Sequence, residues 1–163
     1  MNARVGVQGR AELEVISQAR KPLKIVIPNM VVDQGLQYFA WMTKEMLGVG
    51  GAVAAPNALR VSVGTSSQPV WRTNTMLGGQ YYVQNIDTAT QFGNVSRLDV
   101  QYDFADGNGI IREIGLLGTW SMASTLTTDG LIARVVLPEP GIIKTVLDKL
   151  NISWFITFRR YAV

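Results

Sequence analysis

The sequence predicts a mainly β protein, an antiparallel β-sandwich of jelly-roll-like type carrying one α-helix. Three observations lead there. Apolar and polar residues alternate through several short runs, most clearly at Leu150, Ile152, Trp154, Ile156 and Phe158. A single segment, beginning at Asp33, changes to three- and four-residue apolar spacing. Gly, Asn, Asp and Pro punctuate the runs, a pattern that suits antiparallel strands better than βαβ units.

Residues 1–10 are polar and Gly-containing and read as an N-terminal arm, ordered only where something holds it. One sandwich domain is expected over 11–163. AELEVIS (11–17) sets Leu13 and Val15 against Glu12 and Glu14, and LKIVI (23–27) returns through the basic turn QARKP, with Pro28 and Asn29 closing the hairpin. The helix is expected at about 33–47. Leu36, Phe39, Ala40, Thr43, Met46 and Leu47 would share its apolar face, with Asp33 as N-cap and Gly48 as stop.

A small-residue loop (48–58) leads to the strand LRVSV, then to a polar segment and a strand at 80–86. VSRLDVQYDF (95–104) alternates and turns at ADGNG into IIREIGLLG (110–118), which reads as a hairpin because Asp-Gly and Asn-Gly accept positive φ cheaply. A Ser/Thr-rich loop, the strand LIARVVL (131–137), the break PEPG and the strand KLNISWFITF (149–158) complete the order. Phe155 is the exception on the polar face of that last strand.

Composition narrows the function. The 163 residues are 47% apolar and 17% charged, below the roughly 25% charge of ordinary soluble domains, which suggests surface covered by partners. The net charge of +3 is scattered, with only Arg20-Lys21 and Arg159-Arg160 adjacent, so no nucleic-acid partner is expected. Absent cysteine and histidine remove thiolate chemistry, His-based triads and His-rich zinc sites. No cofactor, metal or catalytic residue is expected. No apolar run is long enough to cross a bilayer as a helix and residues 1–15 lack a signal-peptide core, so a soluble protein without a membrane partner is expected.

Candidate motifs mostly resolve into structure. SVGTSSQP (62–69) lacks the lysine and following helix of a phosphate cradle, and GVGG (48–51) ends a helix instead of opening one. Asp99, Asp103, Asp106 and Asn108 are oxygen donors of the kind calcium takes, but without EF-hand spacing they read as edge charges and a turn. Asp103 with Glu113 would be the carboxylate pair of a hydrolase, yet nothing marks a substrate cleft. Trp41, Met42 and Met46 fit a helix face packed on a sheet. Trp71 differs, since a large ring in a polar segment between strands points to an interface. A carbohydrate-binding platform of Trp71, Tyr81 and Tyr82 is the rival from another class.

NMVVDQGLQYFAWM, LRVSVGTSS, TNTML, VQYDFADGNGIIREIGLLG, LIARVVLPEP and KTVLDKLNISWFITF, in that order, resemble small β-sandwich virion proteins of tailed bacteriophages. These are tail, tail-fibre or neck-associated components, and the resemblance covers about residues 29–158. It implies a non-enzymatic tail or neck adaptor, collar or fibre-attachment subunit made in the host cytoplasm and carried in the virion. Capsid decoration is the alternative. Partners would be further copies of the chain and other virion proteins. Gly64 and Thr65 would turn from a strand into a surface loop, and Gly115 would admit a close neighbour. Glu113 would bond across the sheet or pair with an arginine such as Arg134. The candidate interface residues are Arg4, Val5, Val7 and Arg10 of the arm, Trp71 and Arg72 of the loop, and Arg159, Arg160 and Tyr161 near the C-terminus.

Overall fold

The computed structural model describes residues 3–46, 57–123 and 126–162. The protein is mainly β. Its strands are β1 (Ala3–Ser17), β2 (Leu23–Val31), β3 (Asn57–Gly64), β4 (Gln80–Asn85), β5 (Thr88–Phe92), β6 (Val95–Tyr102), β7 (Gly109–Ile111), β8 (Glu113–Ala123), β9 (Leu126–Val136), β10 (Ile142–Lys144) and β11 (Asp148–Ala162), with α1 (Asp33–Met46) between β2 and β3. Nine strands form one antiparallel sheet in the order β4-β3-β8-β9-β2-β1-β11-β6-β5, and β7 pairs with β10 apart from it.

The sheet is curled. Tyr102 Oη on β6 donates to Val61 O on β3 at 2.7 Å, although six strand spacings separate β6 from β3 along the sheet. Laid flat, that separation would be roughly 29 Å. β2 makes the bend by changing partners: Leu23 to Asn29 pair with β1, and Met30 and Val31 pair with β9. Among the described residues Pro28 lies where β2 pairs with β1 alone, so a residue without an N–H is tolerated there and the strand runs past the expected stop. The main core fills the curl, drawing Leu13 and Val15 from β1, Val61 and Val63 from β3, Ile114 and Leu116 from β8, and Ile152 and Trp154 from β11.

Residues 3–10, expected as an arm, are the first half of β1. Their backbone pairs without interruption from Ala3 opposite Ala162 to Arg10 opposite Phe155. The arm and the C-terminal segment thus hold each other. Within this ladder the small Ala11 lies opposite Trp154, and the Asn29 side chain accepts from Trp154 Nε1 while donating to Gly9 O at 3.1 Å. Phe155, on the outer face, is covered by two guanidinium groups, with Arg10 Cζ 4.3 Å and Arg97 Cζ 5.7 Å from the ring centre.

α1 packs on β9 through its first turn. A Cβ at Gly35 would lie 2.0 Å from Ile132 O, so only glycine allows this approach. That contact rotates the helix from its expected orientation: Tyr38 is buried, Phe39 meets Phe158 edge-on at 5.4 Å, and Leu36 is exposed. Asp33 stands at the helix start as expected, but its carboxylate holds Arg72, at 2.9 Å to Nη2. Gly48 and the loop to residue 56 lie outside the described residues.

Two further expectations change, and one strand appears where none was expected. ADGNG joins strands that do not pair, because β6 bonds to β5 and β11 while β8 bonds to β3 and β9. TATQF (88–92), to which the residue pattern assigned no element, is the edge strand β5. The Ser/Thr-rich segment after residue 118 extends β8 and β9 to Ala123 and Leu126. β-branched threonines suit a strand as well as a loop, and the two ladders draw them in.

Asp148, at the start of β11, ties the β10–β11 turn and carries a pH consequence. Its Oδ2 accepts from Thr145 N and Oγ1, both at 2.8 Å, and from Arg20 Nη2 at 3.1 Å. Burial alone would raise its pKa, but the hydrogen bonds from Ser17 and Thr145, with the Arg20 charge, outweigh it and hold the carboxyl below its ordinary value. A depressed folded pKa contributes stability above the unfolded value and loses it as pH falls through the folded one. Asp148→Asn is expected to lower stability by about 1–3 kcal/mol at neutral pH. It should also flatten the acid limb of stability against pH, read by urea denaturation at a series of pH values.

Candidate functional site: a clamped loop carrying Trp71

Residues 65–79 leave β3 and return to β4. Two buried side chains from neighbouring strands hold this loop: Glu113 opens β8, and Arg134 lies on β9. Arg134 Nε and Nη2 donate to Glu113 Oε2 at 2.9 and 2.7 Å, and both residues are almost fully buried. Glu113 Oε1 accepts from Gly79 N at 2.7 Å and Ser66 N at 3.3 Å, and Oε2 accepts from Gly78 N at 3.1 Å. The carboxylate therefore closes the two ends of the loop on each other.

The guanidinium grips the middle. Arg134 Nη1 donates to Pro69 O at 3.2 Å and to Asn74 Oδ1 at 3.0 Å, and Nη2 donates to Gln68 O at 3.2 Å. With the two bonds to Glu113, this matches the five N–H donors that arginine offers. A buried ion pair is worth little net stability against a packed apolar pair, but its polar groups fit few loop conformations. Its effect here is to specify one path for the chain.

The loop also has an apolar peg. Leu77 is buried in a small cluster with Val32, Leu117 and Leu131. A Cβ at Gly115 would lie 2.8 Å from Leu77 Cδ2 and 2.9 Å from Leu131 Cδ1, so the close neighbours expected at Gly115 are these two leucines. At the tip, Trp71 N donates to Asn74 Oδ1 at 2.8 Å and Asn74 N donates to Trp71 O at 3.0 Å. The backbone of Trp71 is pinned while its side chain remains outside: Trp71 is 65% exposed, and Met76 on the same loop is 70% exposed.

Arg72 carries the loop onto the helix. Asp33 N donates to Arg72 O at 2.8 Å, and the two side chains form an ion pair. Beside it opens a groove of about 540 Å³ lined by Val7 and Gly9 of β1, Pro28 and Met30 of β2, Leu36 of α1, and Arg72. The groove brings together Val7 and Arg72 from the candidate interface set.

The remaining candidates lie elsewhere. Arg10 is engaged with Glu12 at 3.2 Å and with Phe155. Arg159 is exposed on β11, opposite Gly6. Arg4 pairs through its backbone with Tyr161, and Val5 with Arg160. These terminal segments, expected to reach a neighbouring molecule, bond to each other within the chain. The side chains of Arg4, Val5, Arg160 and Tyr161, and those of Trp41, Met42 and Met46, lie outside the described residues.

The acidic residues near 103–108 serve as ties. Lys144, buried on β10, donates from Nζ to Asp103 O at 2.7 Å and to Asn108 Oδ1 at 3.0 Å. Burial pushes its pKa down, against the opposing pull of Asp106, Asp148 and Asp103. Asp103 pairs with Lys149 at 2.7 Å, Asp99 with Arg97 at 2.9 Å, and Asp106 accepts from Tyr82 Oη at 2.7 Å. Among the described residues no cluster of three or more acidic side chains offers a metal site. Nor does any hydrogen bond or ion pair link Asp103 with Glu113 among them. Tyr81 Oη donates to Gly107 O at 3.1 Å, and the Tyr82 ring meets Tyr102 at 5.8 Å, so both tyrosines brace the 103–109 turn.

The Glu113–Arg134 pair is one of the two roles the resemblance implied for Glu113, and Arg134 is the lone charge of the apolar strand LIARVVL. Sequence reasoning missed Asn74 and Lys144. Asn74 sits in a polar stretch where nothing distinguishes it from its neighbours, and Lys144 follows two isoleucines, the one available hint of burial. No family model, no curated protein and no solved structure matches the chain.

Proposed function

We propose that the protein is a non-enzymatic virion structural protein of a tailed bacteriophage, a tail- or neck-associated adaptor, collar or fibre-attachment subunit that works by assembly. In this reading the curled sheet is a β-sandwich of jelly-roll-like type. The observation that carries the proposal is the exposed Trp71 on a loop clamped from within by Glu113 and Arg134. An aromatic anchor already fixed in place loses little conformational freedom on docking, which favours binding without chemistry. The bacteriophage setting rests on the order of sequence motifs.

Mass spectrometry of purified particles, with Trp71→Ala compared against the unaltered chain, tests the proposal. A central tryptophan anchor is typically worth 2 kcal/mol or more, so incorporation of Trp71→Ala is expected to fall by roughly thirtyfold. Its thermal midpoint should stay unchanged. Absence of the unaltered chain from the particles, or equal incorporation of both, would overturn the proposal.

A further inference from the structure

Among the described residues β5 is one edge of the sheet, bonded only to β6. Its sequence TATQF carries no charge and no proline, and all five residues are exposed. Edge strands are normally blunted by Lys, Pro or a bulge, because their free N–H and C=O groups template another strand. β5 has none of these, and its register with β6 is regular from Thr88–Asp99 to Phe92–Val95.

That register shows which groups are free. Phe92 and Val95 flank the two-residue turn Gly93-Asn94, where Gly93 has φ 59°, as a type II′ turn requires at its first position. A two-residue turn closes on a hydrogen-bonded pair, and such pairs alternate along an antiparallel ladder. Phe92, Thr90 and Thr88 therefore bond toward β6. Ala89 and Gln91 direct their N–H and C=O groups outward, with no backbone partner among the described residues.

We infer that β5 is a docking edge for a second copy of this chain, the two β5 strands pairing antiparallel about a twofold axis with Thr90 opposite its own copy. Two outward-facing residues spaced two apart are self-complementary in that register. Ala89 of each copy meets Gln91 of the other as a hydrogen-bonded pair, and Thr90 meets Thr90 as the intervening non-hydrogen-bonded pair. Phe92, 66% exposed in the single chain, falls opposite the partner's Thr88 on the same face and is covered by it. The inference deepens the assembly reading and rests on it for the choice of a second copy as partner.

The chain contains no cysteine, so a single introduced thiol reports on this pairing alone. Thr90→Cys should form a disulfide dimer under mild oxidation at least about tenfold faster than Gln91→Cys, because Cα atoms of a non-hydrogen-bonded pair lie within disulfide reach and those two residues out of register do not. Thr90→Lys should halve the mass measured by light scattering while keeping the thermal midpoint, since two ammonium groups would then face each other across the axis. Equal cross-linking of the two cysteine variants, or an unchanged mass for Thr90→Lys, would overturn the inference. Either result leaves the assembly reading standing, because that reading is decided by Trp71→Ala and particle incorporation.

Discussion

Arg134→Ala is expected to lower stability by about 3–5 kcal/mol, the cost of leaving a buried charge without its partner. The substitution strands the Glu113 carboxylate inside the protein, with three backbone N–H groups still aimed at it. It also releases Gln68 O, Pro69 O and Asn74 Oδ1. Denaturant unfolding should show the loss in midpoint. Limited proteolysis should show new cleavage within 65–79, while β1 and β11 remain protected below the transition. A variant carrying both Glu113→Gln and Arg134→Met removes both charges and should recover part of the stability without restoring loop protection, which separates the cost of the stranded charge from the specification of the loop. Equal protection of the loop in Arg134→Ala would show that Leu77 and the Asp33–Arg72 pair hold it unaided.

Trp154→Ala should cost about 3–5 kcal/mol, a large part of the stability of a typical domain. The ring is fully buried at the centre of the main core, and its indole N–H has a partner in Asn29. Removal opens a cavity and takes the indole donor from the Asn29 side-chain oxygen. Trp71→Ala should leave the melting temperature almost unchanged, since its ring contributes little to the folded chain itself. Comparable damage from the two substitutions in thermal melts would place Trp71 in the fold.

The pattern of the sequence carried the strands with clean alternation. Leu13 and Val15, Leu98 and Val100, and Leu150, Ile152, Trp154 and Ile156 point inward as their spacing requires. What it could not carry was partner choice. Alternation assigns residues to faces but does not say that β6 passes over β8 to pair with β5 and β11, nor that residues 3–10, with glycines at 6 and 9, would be held by β11, where Ala3 meets Ala162 and Arg10 meets Phe155. The helix was placed correctly and turned wrongly, because Gly35 acts through a contact with β9 that no local period encodes. For the candidate site, the lone charge Arg134 and the isolated Trp71 were legible as exceptions to their surroundings. Asn74 and the backbone groups of the loop were not, since their roles follow from the path of the chain.

The pairing of β1 with β11 sets the order in which the molecule can form. Ala3 meets Ala162 and Ser17 meets Asp148, so the longest ladder in the sheet joins segments with nearly the whole sequence between them. Contacts so remote are slow to find, because the closure entropy of the intervening chain must be met before the ladder rewards it; β topologies of this kind fold in milliseconds to seconds. During synthesis β1 and β2 can form their hairpin early. The other edge of β1 then waits, with Leu13 and Val15 lacking most of the core that covers them, until β11 has left the ribosome. In that interval β1 has one apolar face uncovered and one edge open, and this topology requires the cell that makes the protein to hold it apart from other nascent chains.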